Sequence, residues 1–326
     1  MNASIIKELR ADPQNLAVSR TRERNEMRHN FTRTHMRKQR IMVVTSFVLA
    51  ACLFCMAPGA KQADVQQKRT NMNLAFILLS KPSLPKSEDV VRAFALFAPK
   101  EQRLRLQGIQ TKTPSQKEIL QFEVSSGETA FVALMSVPVP KGEADDAARF
   151  SVSAIGTGRK IPAHKAHLIV SLQSTDSSSL VTSLSCFTSL LAAVAKASSA
   201  VGVYWGAAGA THDAEFFIST AQEPGLVPRI TLWTGFSVAR EPDGRLSLLS
   251  LGMKQLNLPD LLLVVPKSAG NHALATFFDL LGYVAELGKP LPEGDTVGRT
   301  ADERQPVHYV PSPLDSSKKV WRVELK

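Results

Sequence analysis

Cysteine is scarce in this chain. Only three occur among 326 residues, and Cys52 and Cys55 share one apolar run. A disulfide framework is therefore excluded, and no second Cys or His pair stands at zinc-finger spacing. Cys52 and Cys55 satisfy Cys-x-x-Cys, but no thioredoxin-like strand precedes them, which argues against a redox motif. Aromatic residues are sparse too, at 6%, and fall mostly within apolar runs rather than among Lys and Arg, where they would serve as stacking platforms for bases. The signatures of common chemistry are missing: there is no Gly-x-x-x-x-Gly-Lys-Ser/Thr, Gly-x-Gly-x-x-Gly, His-Glu-x-x-His or Gly-x-Ser-x-Gly. The Gly288-Lys289 pair closes an expected helix ahead of Pro290 and is not a phosphate loop. Neither a cofactor nor a metal is indicated.

Charge is present but unevenly placed. The formal net charge is +10. Residues 1–71 hold 13 basic and 5 acidic residues, a balance of +8, which leaves 26 basic and 24 acidic residues, or +2, for the rest. The main domain is thus nearly neutral, and nucleic acid is not expected as its partner. A hydrophobic content of 44% suffices for a substantial core.

Residues 1–40 carry seven Arg between Arg20 and Arg40 with no sustained apolar period, and read as a disordered basic extension. Arg37-Lys38-Gln39-Arg40 then abuts Ile41 to Ala57, a run without a charged residue. A basic flank followed by an apolar core marks residues 41–60 as an export signal or a single membrane span. Read from Met36, Leu49-Ala50-Ala51-Cys52 resembles a bacterial lipobox, with Cys52 as the lipidated residue. The competing reading is that translation starts at Met72, which leads directly into the first strand. The envelope is the expected location if 41–60 is translated, and the cytoplasm if Met72 is the start. Residues 61–71 form a linker.

From residue 72 to 326 the pattern is that of an α+β domain. Leu74–Leu79 is a buried strand; Ser87 caps a helix whose Glu88 and Asp89 suit the dipole and whose Val90, Phe94 and Phe97 face inward. Strands are expected over Ile119–Val124 and Thr129–Val137. His167–Leu172 opens a second unit, followed by a helix over Leu180–Ala197 and a strand over Val201–Trp205. Ile230–Ala239 and Leu246–Met253 flank Glu241-Pro242-Asp243-Gly244-Arg245, the composition of a hairpin turn. Leu261–Val265 and Asn271–Leu287 form a third strand and helix, stopped at Gly288. Three strand-loop-helix units interrupted by hairpins predict a mixed, mostly antiparallel sheet with three main helices, and two pseudo-repeated lobes meeting near 156–162 and packed as one unit.

Several strings in this framework carry a family likeness. Leu74-Ala75-Phe76-Ile77-Leu78-Leu79-Ser80, Ala200-Val201-Gly202-Val203-Tyr204-Trp205-Gly206 followed by Thr211-His212, Gly252-Met253, and Glu293-Gly294-Asp295-Thr296-Val297-Gly298 together resemble the bacterial family known as domain of unknown function 4261, over roughly residues 72–310. The resemblance implies no activity, so no residue role follows from it.

The best local constellation is Tyr204, Trp205, Gly206, Gly209, His212 and Glu215: a strand ending in aromatics, a small-residue loop and a polar helix start, the elements of a pocket rim. At i, i+3 on one helix, His212 and Glu215 would share a face as an acid-base pair or two metal ligands. The plainer reading is that His212 and Asp213 cap the helix, Glu215 is solvated, and Tyr204 and Trp205 are half-buried packing. Asp295 is a further candidate between glycines, or else an Asx-type turn residue. His164 and His167 are available as ligands or as surface residues, and Cys186 lies in an apolar helix. The leading expectation is a non-enzymatic binding or accessory protein that presents a sheet edge or the Tyr204–Glu215 rim to a protein partner. The alternative is a small-molecule enzyme, hydrolytic or metal-assisted, in which His212, Glu215 and Asp295 converge; a third reading makes the extension an envelope anchor.

Overall fold

A computed structural model describes residues 71–110, 119–157, 161–174, 179–298 and 303–326. The expectations for residues 1–70, including lipidation at Cys52 and membrane attachment through 41–60, lie outside the described residues. All described residues belong to one compact unit, Lys68–Lys326.

The first strand, β1 (Asn71–Leu79), alternates Ala75, Ile77 and Leu79 against a helical layer with Phe76 and Leu78 on the opposite face. The helix that follows, α1 (Ser87–Phe94), has Lys86 at its N-cap, not Ser87. Ser87 is already helical and turns its hydroxyl to Glu88 Oε1 at 3.1 Å, so this helix start relies on its two carboxylates and not on a side-chain cap. Next come β2 (Leu104–Gln110), β3 (Ile119–Val124) and β4 (Thr129–Met135), an antiparallel meander. Sequence periodicity misses β2, whose register shifts between Leu106 and Gly108 and interrupts its alternation.

Two short helices, α2 (Glu143–Ala147) and α3 (Val152–Thr157), lead into β5 (Ala166–Ser174). The core helix α4 (Leu180–Ala197) is capped by Ser179, whose Oγ accepts the Thr182 N–H at 3.1 Å. By length and composition α4 would span a membrane, but 67% of it is buried, with α1 on one side and the sheet on the other. It is apolar all round because both sides are covered. The hairpin of β6 (Ala200–Trp205) and β7 (Ala210–Asp213) completes a seven-stranded sheet in the order β2-β3-β4-β5-β1-β6-β7, antiparallel throughout.

The helices α5 (Ala214–Gln222) and α6 (Leu226–Trp233) carry the chain to a second sheet. There Ile230 to Trp233 is helical where the apolar run predicts the start of a strand, and the strand β8 is shorter, Gly235–Arg240. A short apolar run does not by itself distinguish a buried strand from a buried helix. The expected hairpin to β9 (Leu246–Leu251) is present, closed by Glu241 N–H to Arg245 O at 2.9 Å with Gly244 at φ +88°. Then β10 (Leu261–Val265) and α7 (Gly270–Leu287) follow, with Gly288 in the left-handed conformation at the helix end. After the short pair β11 (Thr296–Val297) and β12 (Gln305–Pro306), β13 (His308–Ser312) and β14 (Asp315–Glu324) finish a five-stranded sheet, β13-β14-β10-β9-β8, in which β10 and β14 run parallel.

The fold is α+β with mostly antiparallel sheets, and the three expected main helices are joined by four shorter ones, seven α-helices among the described residues. Strands on both sides of residues 156–162 pair within one sheet through β4 and β5, and the two sheets divide after β7. One apolar cluster crosses that division, from Phe94 and Phe187 to Phe236, Phe277 and Trp321. At the joint the Gly235 N–H donates to Ala208 O at 3.1 Å, and a Cβ on Gly252 would stand 2.7 Å from Ala208 Cα. Only hydrogen at these positions lets the second sheet approach the β6–β7 turn so closely.

Candidate functional site

The β6–β7 hairpin pairs Trp205 with Ala210, Tyr204 with Thr211, and Val203 with His212. Opposed residues share a face, so Tyr204 and Thr211 point one way and Val203 and His212 the other. Tyr204 stacks on Phe76 at 5.7 Å, and burial pushes its phenol up to about 12, with Glu143 nearby adding to the shift. Trp205 is 1% exposed and meets Phe187 edge-on at 5.2 Å. Both aromatics are therefore core residues, more deeply buried than a half-exposed rim requires. Gly206 and Ala207 remain exposed at the turn, and Gly209 supplies its positive φ of 63°.

His212 lies on β7, not on a helix. Asp213 is the N-cap of α5 and accepts the Phe216 N–H at 3.0 Å, so the helix begins between His212 and Glu215 and separates them. Glu215 sits exposed in the first helical turn, while His212 is fully buried. The imidazole has two partners: Nε2 lies 3.1 Å from the Leu232 carbonyl and Nδ1 lies 2.7 Å from Ser151 Oγ. A carbonyl only accepts, so the network assigns the proton to Nε2, and Nδ1 accepts the Ser151 hydroxyl. Ser151 Oγ in turn accepts from the Ser153 N–H at 3.1 Å and adjoins Ser153 Oγ at 2.8 Å; Ser153 Oγ accepts the Asp213 N–H at 3.0 Å. Burial pulls the His212 imidazole down to about 4, with its contact to Leu232 acting in the other direction, so the ring is neutral at pH 7.

A serine hydroxyl bonded to a neutral imidazole with an oriented second nitrogen is the geometry of an activated nucleophile. Access decides against that use. Ser151, Ser153 and His212 are 0%, 1% and 0% exposed, so no substrate reaches Ser151 Oγ in this conformation. What the cluster does is tie the start of α3, strand β7 and the end of α6 together through hydrogen bonds that leave no buried polar atom of the imidazole unmet. Ser151 is 61 residues from His212 in sequence, and no spacing signal connects them.

The other candidates stand apart. Asp295 is exposed, accepts the Thr296 N–H at 2.9 Å through Oδ1, and exchanges backbone bonds with Pro292 and Val307. It serves as a turn residue, bonded to its own neighbours and to Val307. His164 accepts the Val139 N–H at 2.9 Å, and His167 Nδ1 lies 2.8 Å from Val137 O; both are buried and hold the strand of chain beyond β4. Among the described residues, no group of three or more His, Cys, Asp or Glu side chains is placed to hold a metal ion. Cys186 is buried, and desolvation, then the charge of Glu128, pushes its thiol up to about 12, away from thiolate chemistry. The Glu128 carboxylate is itself buried and meets no hydrogen-bond donor among the described residues.

Sequence reasoning also overlooks Asp260. Its Oδ1 accepts from the Ser250 hydroxyl and the Met253 N–H, both at 3.1 Å, while Ser250 Oγ accepts the Leu261 N–H at 2.8 Å. Burial raises the Asp260 carboxyl above its ordinary range, and those hydrogen bonds oppose the shift. Together these residues close the passage from β9 to β10.

Comparison with curated proteins finds no match to this chain, and comparison with solved structures finds none. A family model does match residues 249–324, which run from the end of β9 through α7 to the end of β14. Gly252-Met253 and Glu293 to Gly298 lie inside that segment; the strings at 74–80, 200–206 and 211–212 lie outside it. Over residues 249–324, then, the chain resembles the family described as domain of unknown function DUF4261.

Proposed function

We propose that this is a non-enzymatic binding or accessory protein that acts through a protein partner, engaged at the free edge of the five-stranded sheet. The observation that carries this reading is β8, which among the described residues has a strand neighbour on one side only and leaves Val238 46% exposed with Ala239 and Arg240 beside it. An edge strand with an exposed β-branched residue and no proline is a template for strand addition. At the end of β7, by contrast, the Asp213 N–H is already taken by Ser153 Oγ at 3.0 Å. On β13, Pro311 removes a donor. The alternative of a small-molecule enzyme using His212, Glu215 and Asp295 loses support because His212 is sealed from solvent while Glu215 and Asp295 lie exposed.

Trp205→Ala is unsuitable as a test, since truncating a buried indole opens the core. The full-length protein carrying a photoreactive residue at Val238 is the better probe. It should crosslink in its native cells to one discrete protein or to a second copy, and Val238→Lys should abolish recovery of that partner without shifting the melting temperature. Crosslinking no stronger than from exposed Lys254 would refute this placement of the interface.

A further inference from the structure

We propose that the cleft at the carboxyl ends of β10 and β14 binds a small organic anion through a carboxylate or phosphate group, with Arg245 as its anchor. The cleft measures about 520 Å³ and is lined by Arg245, Pro266, Pro306, His308, Glu324 and Lys326, among others. That volume lies within the range of small-molecule sites. It opens beyond the carboxyl ends of the parallel pair β10 and β14.

The chemistry of the ligand follows from which hydrogen-bonding groups are already spent. Arg245 Nε donates to Asp243 Oδ2 at 2.7 Å, and its Nη1 donates to Glu324 Oε2 at 2.6 Å. Glu324 Oε1 in turn receives Arg322 Nε at 2.7 Å and Nη2 at 2.6 Å. Both Glu324 oxygens are thus committed to guanidinium groups. A guanidinium has five N–H donors, and among the described residues no acceptor meets Arg245 Nη2. The side chain remains 32% exposed, and Lys326 adds a second positive group at the rim. Held from two sides, Arg245 has already lost the rotamer freedom that binding otherwise costs, and its planar fork matches an oxyanion. The pyrrolidines of Pro266 and Pro306 supply an apolar wall for the remainder of the ligand.

The test is calorimetric titration of the full-length protein with inorganic phosphate and, separately, with citrate, at constant ionic strength. At least one anion should bind saturably. Arg245→Gln should weaken it roughly tenfold or more and Lys326→Gln by a smaller factor, with exposed Lys254→Gln as the unchanged reference. Asp243→Asn separates anchoring from mere loss of the ion-pair network: its amide oxygen still accepts from Arg245 Nε while a negative charge beside the anion is removed, so affinity should hold or rise. Preference for phosphate or for citrate identifies the group recognised. Absence of saturable binding at millimolar concentrations of either anion would overturn the proposal, as would full affinity in Arg245→Gln or an equal loss in Asp243→Asn. Should Arg245→Gln fail to fold, Lys326→Gln and Asp243→Asn still decide between these outcomes.

Discussion

At the scale of single residues, His212 shows how a chemically suggestive side chain becomes structural. Its imidazole titrates at about 4 in the fold against 6.5 when exposed. Above pH 6.5 the ring is neutral in both states, and its whole contribution to stability is present. As the pH falls below that value the unfolded chain takes up a proton that the fold refuses, so stability drops, and the loss is complete below about 4. The shift corresponds to about 3 kcal/mol. Urea melts at pH 7 and pH 4 should therefore show the parent losing about 3 kcal/mol more than His212→Gln, which has no titrating ring; equal losses would mean that other groups govern the acid limb. Part of this site was legible from residue types: Asp213 as a helix cap and Asp295 as a turn residue follow from local backbone chemistry. The partners of His212 were not, because Ser151 and Leu232 reach it only through packing.

At the scale of elements, turn and cap chemistry act over a few residues, and the hairpin around Gly244, the stop at Gly288 and the extent of α4 agree with the pattern in the chain. Two glycines separate the local requirement from the tertiary one. Gly244 at φ +88° has nothing within 4 Å of an added Cβ, whereas Gly252 at φ +106° would bring a Cβ to 2.7 Å from Ala208 Cα and 2.8 Å from Ala207 O. Gly244→Ala should cost about 1 kcal/mol, the conformational term alone. Gly252→Ala should cost roughly 3 kcal/mol or more, because the β6–β7 turn must also move. Chemical denaturation of both variants measures the difference. The element-level errors have separate causes: β2 is broken by a register shift, and the run from Ile230 to Trp233, with Ile230, Leu232 and Trp233 buried, suits either a strand or a helix.

At the scale of the whole molecule, the two sheets share one apolar cluster, and the family match covers mainly the second of them. Because Phe94, Phe187, Phe236 and Trp321 belong to the same cluster, the sheets should open together. Hydrogen exchange at increasing denaturant should bring β5 and β10 amides to one global opening free energy; two distinct plateaus would show separable folding units. What the sequence determined alone is the series of strand-loop-helix units, the turns and the helix ends, since periodicity and backbone chemistry operate within a turn or two of chain. Only the tertiary structure decided that β1 lies between β5 and β6, that β10 and β14 run parallel, that Ser151 seals His212, and that Glu324 orients Arg245 from 79 residues away. Those relations come from burying faces against one another, and no spacing within the chain encodes which distant face will be chosen.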